Sequence, residues 1–417
     1  MQQCGGRGGF PGPVWLHEGM SAPDRSPDPA TGPATGAAGT SAADGAAPAI
    51  VRWDLAAETA ARITPAGPRL PARAMRSAVA SLRRHAEDSV DHVHRISGLD
   101  AARDLRDSTV LVVDRAGWAK ANAQSFEVLM EPAAQALRRR RPEQFGAAAT
   151  ALGGTATAVE MAGVLGFLSA KVLGQYDPYA GLVSAEAAAR HPGGRLMLVA
   201  PNILTVEREL NVEPEDFRLW VCLHEQTHRV QFAAAPWLRT HMLEQIRLLS
   251  DSVLGQPEAL GERLGEAVRS LTARRPADGP AEPSLGLVGL LMGRREKEVL
   301  SHLTAVMSLL EGHANFVMDG VDASVVPSVR TIRRRFERRS ELQGALDRFV
   351  RRLLGMDAKM RQYSDGQRFV TAVVAASGLA GFNRIWERVE HLPSEAEIHD
   401  PQRWIDRVLT PGAHPSS

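Results

Sequence analysis

Two histidines and a glutamate in this 417-residue chain have a spacing suited to metal chemistry. His224, Glu225 and His228 form the string HEQTH, which fits the pattern His-Glu-x-x-His. Residues four apart lie on one face of a helix, so both imidazoles can bind the same metal ion. Glu225 then turns toward the edge where a metal-bound water would lie. The pattern predicts a hydrolytic zinc site with Glu225 as the catalytic base.

A catalytic zinc site needs a third protein ligand and leaves one position for water. Glu311 follows two leucines and precedes Gly312 on a predicted helix, where a free surface glutamate would have little reason to lie. His313 is the alternative ligand, but it points about 200° away from Glu311 by helix geometry, so both cannot face one metal. We therefore predict a zinc site made by His224, His228 and Glu311.

The helix that carries HEQTH has clear signals at both ends. Glu213, Pro214, Glu215 and Asp216 supply acidic residues and a proline suited to a first turn, and the helical pattern runs over 217–235 before a further proline ends it. Just upstream, residues 194–202 read as an apolar strand. If this strand forms an edge beside the helix, it could pair with an extended peptide.

The rest of the chain reads as mainly helical. Residues 110–114 fit a short strand or a buried turn, so we expect a mainly α, zincin-like fold with a small β-sheet or hairpin. The other predicted helices cover 50–63, 72–96, 119–140, 294–318, 329–354 and 369–389, and residues 254–278 read as helical and then loop-like.

The domain organisation follows from composition. Residues 1–48 are dominated by small and polar residues and predict a disordered leader, within which Met20 is a second candidate start. Residues 49–409 are expected to form one domain, with a possible helical subdomain over 49–145. Residues 410–417 read as a flexible tail.

The charge balance and the cysteine content indicate which partners and which cellular compartment to expect. The chain has 49 basic and 48 acidic residues, which gives no general preference for nucleic acid or anionic membrane. Arginine-rich stretches at 138–141 and 330–339 could form basic patches, but Glu337 and Glu341 are spaced to pair with arginines on a solvated helix. Two cysteines, Cys4 and Cys222, and no visible export signal predict a cytoplasmic protein. The weakly polar stretch 147–173 is expected to be a buried helix.

The pairing of HEQTH with Glu311-Gly312-His313-Ala314 resembles the gluzincin metallopeptidases, whose third zinc ligand is the corresponding glutamate. A narrower resemblance covers about residues 50–405. It is to an actinobacterial family of inferred zinc-dependent metalloproteases, a domain of unknown function sometimes labelled as associated with deazaflavin coenzyme biosynthesis. The residues that carry it are Trp53-Asp54-Leu55, Val112-Val113-Asp114-Arg115 with Gly117-Trp118, Asp216-Phe217-Arg218-Leu219-Trp220 continuing into 224–232, and Pro236-Trp237-Leu238.

The resemblance implies a metallopeptidase with one zinc ion and a peptide or protein substrate. In gluzincins a carboxylate four residues after the glutamate often supports the first histidine; here that position is Asn315, with Asp319 one turn further. Tyr363 and His302 are candidate stabilisers of a transition-state oxyanion. The alternative is a non-catalytic zinc-binding scaffold associated with coenzyme biosynthesis.

Overall fold

The computed structural model describes residues 51–103, 105, 108–140, 147–254, 293–341 and 356–410. The predicted leader over 1–48 lies outside the described residues. The same is true of the tail beyond residue 410, of the helical and loop-like segment predicted over 254–278 after its first residue, and of 342–354 in the predicted helix 329–354.

The fold is mainly helical, as the sequence predicts, and most helices end where local signals place them. Helix α2 stops at Gly98, which adopts the left-handed conformation (φ 65°) and donates its N–H to the carbonyl of His94. Pro214 occupies the first turn of α7, where its missing N–H costs no hydrogen bond. The helices are α1 Trp53–Ile63, α2 Ala72–Ser97, α3 Arg115–Arg140, α4 Ala147–Ser169, α5 Ala185–Arg190, α6 Ala200–Leu210, α7 Pro214–Ala234, α8 Trp237–Leu254, α9 Arg294–Asp319, α10 Val329–Glu341, α11 Met356–Asn383, α12 Glu395–His399 and α13 Pro401–Leu409.

A three-stranded sheet completes the described architecture, with β1 Thr109–Val113, β2 Gly174–Asp177 and β3 Arg195–Val199 in the order β1-β3-β2. Strand β3 pairs in parallel with β1 and antiparallel with β2. The predicted strand 194–202 is therefore shorter than expected, because α6 begins at Ala200. It is also central, so the expectation that it forms a peptide-binding edge is wrong; β2 is the edge strand that contacts α7.

Strand β3 is buried on both faces and joins two apolar clusters. Leu198 lies in the larger cluster, which contains the buried faces of α7 and α9, whereas Met197 and Val199 lie in a smaller cluster with α1, α3 and α4. The split follows from the alternation of side chains along a strand. The helix that carries the two histidines is thus packed into the larger core.

Helices α9 and α11 cross at a point where only glycine fits. A Cβ atom on Gly312 would overlap the backbone of Gly366, and a Cβ on Gly366 would overlap the carbonyl of Ser308. Gly312 is the residue directly after Glu311, so this close crossing fixes the part of α9 that carries the carboxylate.

Among the described helices, the segment Asp365–Trp386 is long and apolar enough to cross a membrane by length and composition. Core helices can have the same properties, and Phe369, Val370, Val373 and Phe382 of this segment are fully buried in the larger cluster. The apolar stretch at 147–173 forms α4, whose Ala158, Ala162 and Leu165 are buried in the smaller cluster.

Candidate metal centre

The structure brings His224, His228 and Glu311 to one point between α7 and α9. The Nε2 atoms of the two histidines lie 3.3 Å apart, and Oε2 of Glu311 lies 3.8 Å from each of them. The candidate donor atoms all lie within 4.8 Å of one another. The convergence predicted from spacing on two separate helices is therefore present.

The spacing of these donors fits a zinc ion. With Zn–N bonds of about 2.0–2.1 Å and tetrahedral angles, two ligand nitrogens are separated by about 3.3 Å. That is the separation observed between the two Nε2 atoms. Two imidazoles and one carboxylate are also a donor set of catalytic zinc sites, which leave a position open for water.

Glu225 lies beside this group and is only 8% exposed. Burial raises the pKa of its carboxyl group to about 7; the nearby His228 lowers it and the negative charge of Glu311 raises it. The first residue of β2 packs directly against this side chain, because a Cβ atom on Gly174 would lie 2.6 Å from Cγ and 2.8 Å from Cδ of Glu225. The edge strand and the candidate base are thus in contact.

The imidazole of His224 is neutral at physiological pH in this environment. Burial lowers the pKa of His224 to about 4, and His228 acts in the same direction while Glu311 opposes it. A neutral imidazole keeps the lone pair that a metal ion requires.

Gln231 orients the second histidine and links it to α9. The amide nitrogen of Gln231 lies 2.8 Å from the carbonyl oxygen of Leu310, which can only accept, and 3.0 Å from Nδ1 of His313. The amide oxygen therefore faces Nδ1 of His228, at 3.1 Å, and this nitrogen must donate. The resulting tautomer leaves Nε2 of His228 free to bind a metal.

Gln231 was not among the residues predicted from the sequence to act at the site. The signal available was a polar residue one turn after His228 on a helix end that is otherwise apolar. In the structure the side chain is fully buried, so its role depends on α9 lying against α7.

His313, the alternative third ligand, lies outside the group of converging donors. Its ring is fully buried and stacks on Phe382 at a centroid distance of 5.3 Å, with Trp386 at the same distance. Burial, followed by the effect of His228, lowers its pKa to about 3, so it is neutral. It acts as an acceptor for Gln231 instead.

Asp319 does not support His224. It forms an ion pair with Arg333 at 3.3 Å and accepts a hydrogen bond from Gln367. His302 is also remote from Glu311, since nine residues of helix correspond to about 13 Å, and its Nε2 contacts Nε2 of His241 at 2.7 Å. The expectation that His302 stabilises an oxyanion is therefore wrong. The side chain of Tyr363 lies outside the described residues.

A cavity of about 630 Å³ opens beside His224 and Glu225. Its lining includes Leu173 and Gly174, at the start of the edge strand, and Asn315 of α9. A substrate could therefore reach the donor atoms between the edge strand and α9.

A mainly helical fold, in which His-Glu-x-x-His and a distant glutamate converge, defines a zincin-type metallopeptidase. The model of the zincin-like metallopeptidase family matches residues 51–405, and the chain belongs to this family. It is also similar to the crystal structure of a presumed hydrolase with a novel fold from Chloroflexus aurantiacus. The identity is 32% over 87% of this chain and 100% of that chain, with a TM-score of 0.58. No functionally curated protein matches the chain. Membership of this family implies a bound metal, usually zinc.

Proposed function

We propose that this protein is a zinc-dependent peptidase in which His224, His228 and Glu311 bind one zinc ion and Glu225 is the general base. The convergence of three donor atoms within 4.8 Å supports the proposal most strongly. The position of Glu225, next to His224 on α7 and in contact with Gly174 of the edge strand, adds to it.

When bound, zinc polarises a carbonyl group and lowers the pKa of water toward neutrality. Glu225 would accept the proton of the attacking water and later deliver it to the leaving amine. Its side chain packs against Gly174, which limits where the carboxylate can lie. His224 and His228 would bind the zinc ion, and Gln231 keeps His228 in the tautomer that metal binding requires.

We infer that the substrate is an extended peptide. Strand β2 is paired on one side with β3, and it begins at Gly174, against Glu225. A peptide that adds to its other side would have its backbone in hydrogen-bonding register beside the metal centre. We propose this arrangement for a peptide or protein substrate, and a cytoplasmic location for the enzyme.

The competing function is a zinc-binding scaffold without turnover. Structural zinc sites usually have four protein ligands, whereas the described residues supply three here, with a buried glutamate beside them. The narrower assignment to a coenzyme-associated family would fit either function.

The test combines zinc analysis with cleavage of a peptide library by wild type and Glu225→Gln. A peptidase retains about one zinc per chain in both proteins and loses cleavage in the variant. Retained zinc with no cleavage by either protein would favour the scaffold, and equal cleavage by both would exclude Glu225 as the base.

A further inference from the structure

The cavity beside the metal centre contains an aromatic cluster. Trp220 lies one helical turn before His224 on α7, and its ring is 5.1 Å from that of Phe336 on α10, tilted by 55°. Both residues line the cavity, together with the buried side chains of Met318 and Val221. An apolar group that enters from the metal centre would meet these surfaces, which favour rings and branched side chains.

Two charged residues of the cavity lining, Asp319 and Arg333, already form an ion pair with each other. Asp319 binds Arg333 and Gln367, and the guanidinium of Arg333 also donates to the carbonyl of Met318. Glu337 has an interaction of its own. A substrate carboxylate would therefore have to compete with Asp319 for the arginine, and a cation would have to compete with Arg333 for the aspartate. Neither charge sign is selected by these residues.

We propose that this cavity receives a bulky apolar side chain, aromatic or as large as leucine, of the residue that flanks the scissile bond. The proposal rests on the peptidase function proposed above. Trp220 and Phe336 set the specificity, because they are the aromatic residues in a lining that also contains aliphatic side chains. The volume of about 630 Å³ leaves room for a ring and for the adjoining backbone along β2.

Binding to the zinc-loaded full chain tests the preference without requiring turnover. The probes are three zinc-binding hydroxamic acids that differ only in one side chain: benzyl, methyl or carboxymethyl. We expect the benzyl compound to bind on the order of 100-fold more tightly than the methyl compound, and the carboxymethyl compound to gain nothing. Equal affinities, no binding, or tightest binding of the carboxymethyl compound would overturn the proposal.

The variant Phe336→Ala should reduce the ratio of benzyl to methyl affinities about 10-fold while zinc content stays the same. Phe126→Ala is the matched control. Phe126 is also a partly buried aromatic residue in contact with a tryptophan, Trp53 at 6.3 Å, but it lies in the smaller cluster and does not line the cavity. An unchanged ratio in Phe336→Ala, or the same loss in Phe126→Ala, would contradict the assignment.

The same proteins are then assayed with peptides that vary the residues around one cleavage site. Preferred cleavage next to phenylalanine or leucine, with a weaker preference in Phe336→Ala, would support both the proposed specificity of the cavity and the peptidase function. Selective benzyl binding with no cleavage of any peptide would support the cavity and count against the peptidase. Cleavage that prefers acidic or small residues at both flanking positions would overturn the proposed specificity while leaving the peptidase in place.

Discussion

Replacing Gln231 with leucine should weaken zinc binding by a predictable amount. The substitution removes the acceptor for Nδ1 of His228, so the tautomer that offers Nε2 to the metal is no longer enforced. Loss of such an outer hydrogen bond commonly reduces metal affinity about 10- to 100-fold. We expect an effect in this range for Gln231→Leu.

The metal-free protein should also lose stability. Nδ1 of His313 would be left buried without its partner, at a cost of about 1–3 kcal/mol. The carbonyl of Leu310 lies within α9 and keeps its helical hydrogen bond, so losing the amide there adds only about 1 kcal/mol. The total of about 2–4 kcal/mol is a large part of the stability of an ordinary domain.

The assay is zinc affinity by chelator competition, together with urea unfolding of the metal-free protein. Gln226→Leu is the matched control, because Gln226 lies on the same helix and is 1% exposed, but it donates to the carbonyl of Ala86 on α2. The control should lose comparable stability and keep wild-type zinc affinity. Wild-type affinity in Gln231→Leu, or equal losses of affinity in both variants, would refute the positioning role.

Three further predictions follow from contacts around the site and from one ion pair. Gly312→Ala should lower the thermal unfolding temperature through overlap with the backbone of α11, with a cost of about 1–3 kcal/mol or more, and should weaken zinc binding. Gly174→Ala should displace Glu225 and reduce kcat for peptide cleavage at least about 10-fold, with zinc content measured in parallel and unchanged. Burial raises the pKa of Glu397, but hydrogen bonds from Arg407 and the backbone hold this pKa below 4.5 on balance. The stability that the ionised carboxylate adds to the folded protein is therefore lost as pH falls below that value. The stability difference between wild type and Glu397→Gln, measured by urea unfolding, should shrink in that direction.

Each of these predictions has an outcome that contradicts it. Gly163→Ala is the control for the first, because its added Cβ would have no neighbour within 4 Å and the helix should gain stability. Wild-type stability in Gly312→Ala would refute the close crossing. Unchanged kcat in Gly174→Ala would show that the contact with the edge strand does not position Glu225 for catalysis. A stability difference for Glu397→Gln that grows in acid would show that the pKa of Glu397 is shifted in the opposite direction.

The ligand helix and its residues could be predicted because their signals are local. Pro214 and the spacing of His224 and His228 are read along a single helix, and Glu311 is singled out by its apolar neighbours. The mainly α class follows in the same way from helical periodicity. The structure confirms that these elements exist and that the donors converge.

What the sequence did not reveal depends on contacts between elements. Strand β2 is the short polar string Gly-Gln-Tyr-Asp, and its extended form comes from pairing with β3. The same pairing makes β3 central, which no pattern within 194–202 could show. Gln231 gains its role only where α9 supplies Leu310 and His313. The partner of Asp319 is Arg333, which comes from α10 and could not be read from the sequence of α9.

Anomalous scattering at the zinc edge, from crystals of the protein grown with zinc, tests the central claim most directly. We expect one peak within about 2.0–2.2 Å of Nε2 of His224, Nε2 of His228 and a carboxylate oxygen of Glu311. A peak bound by other residues, or no peak at these three side chains, would contradict it.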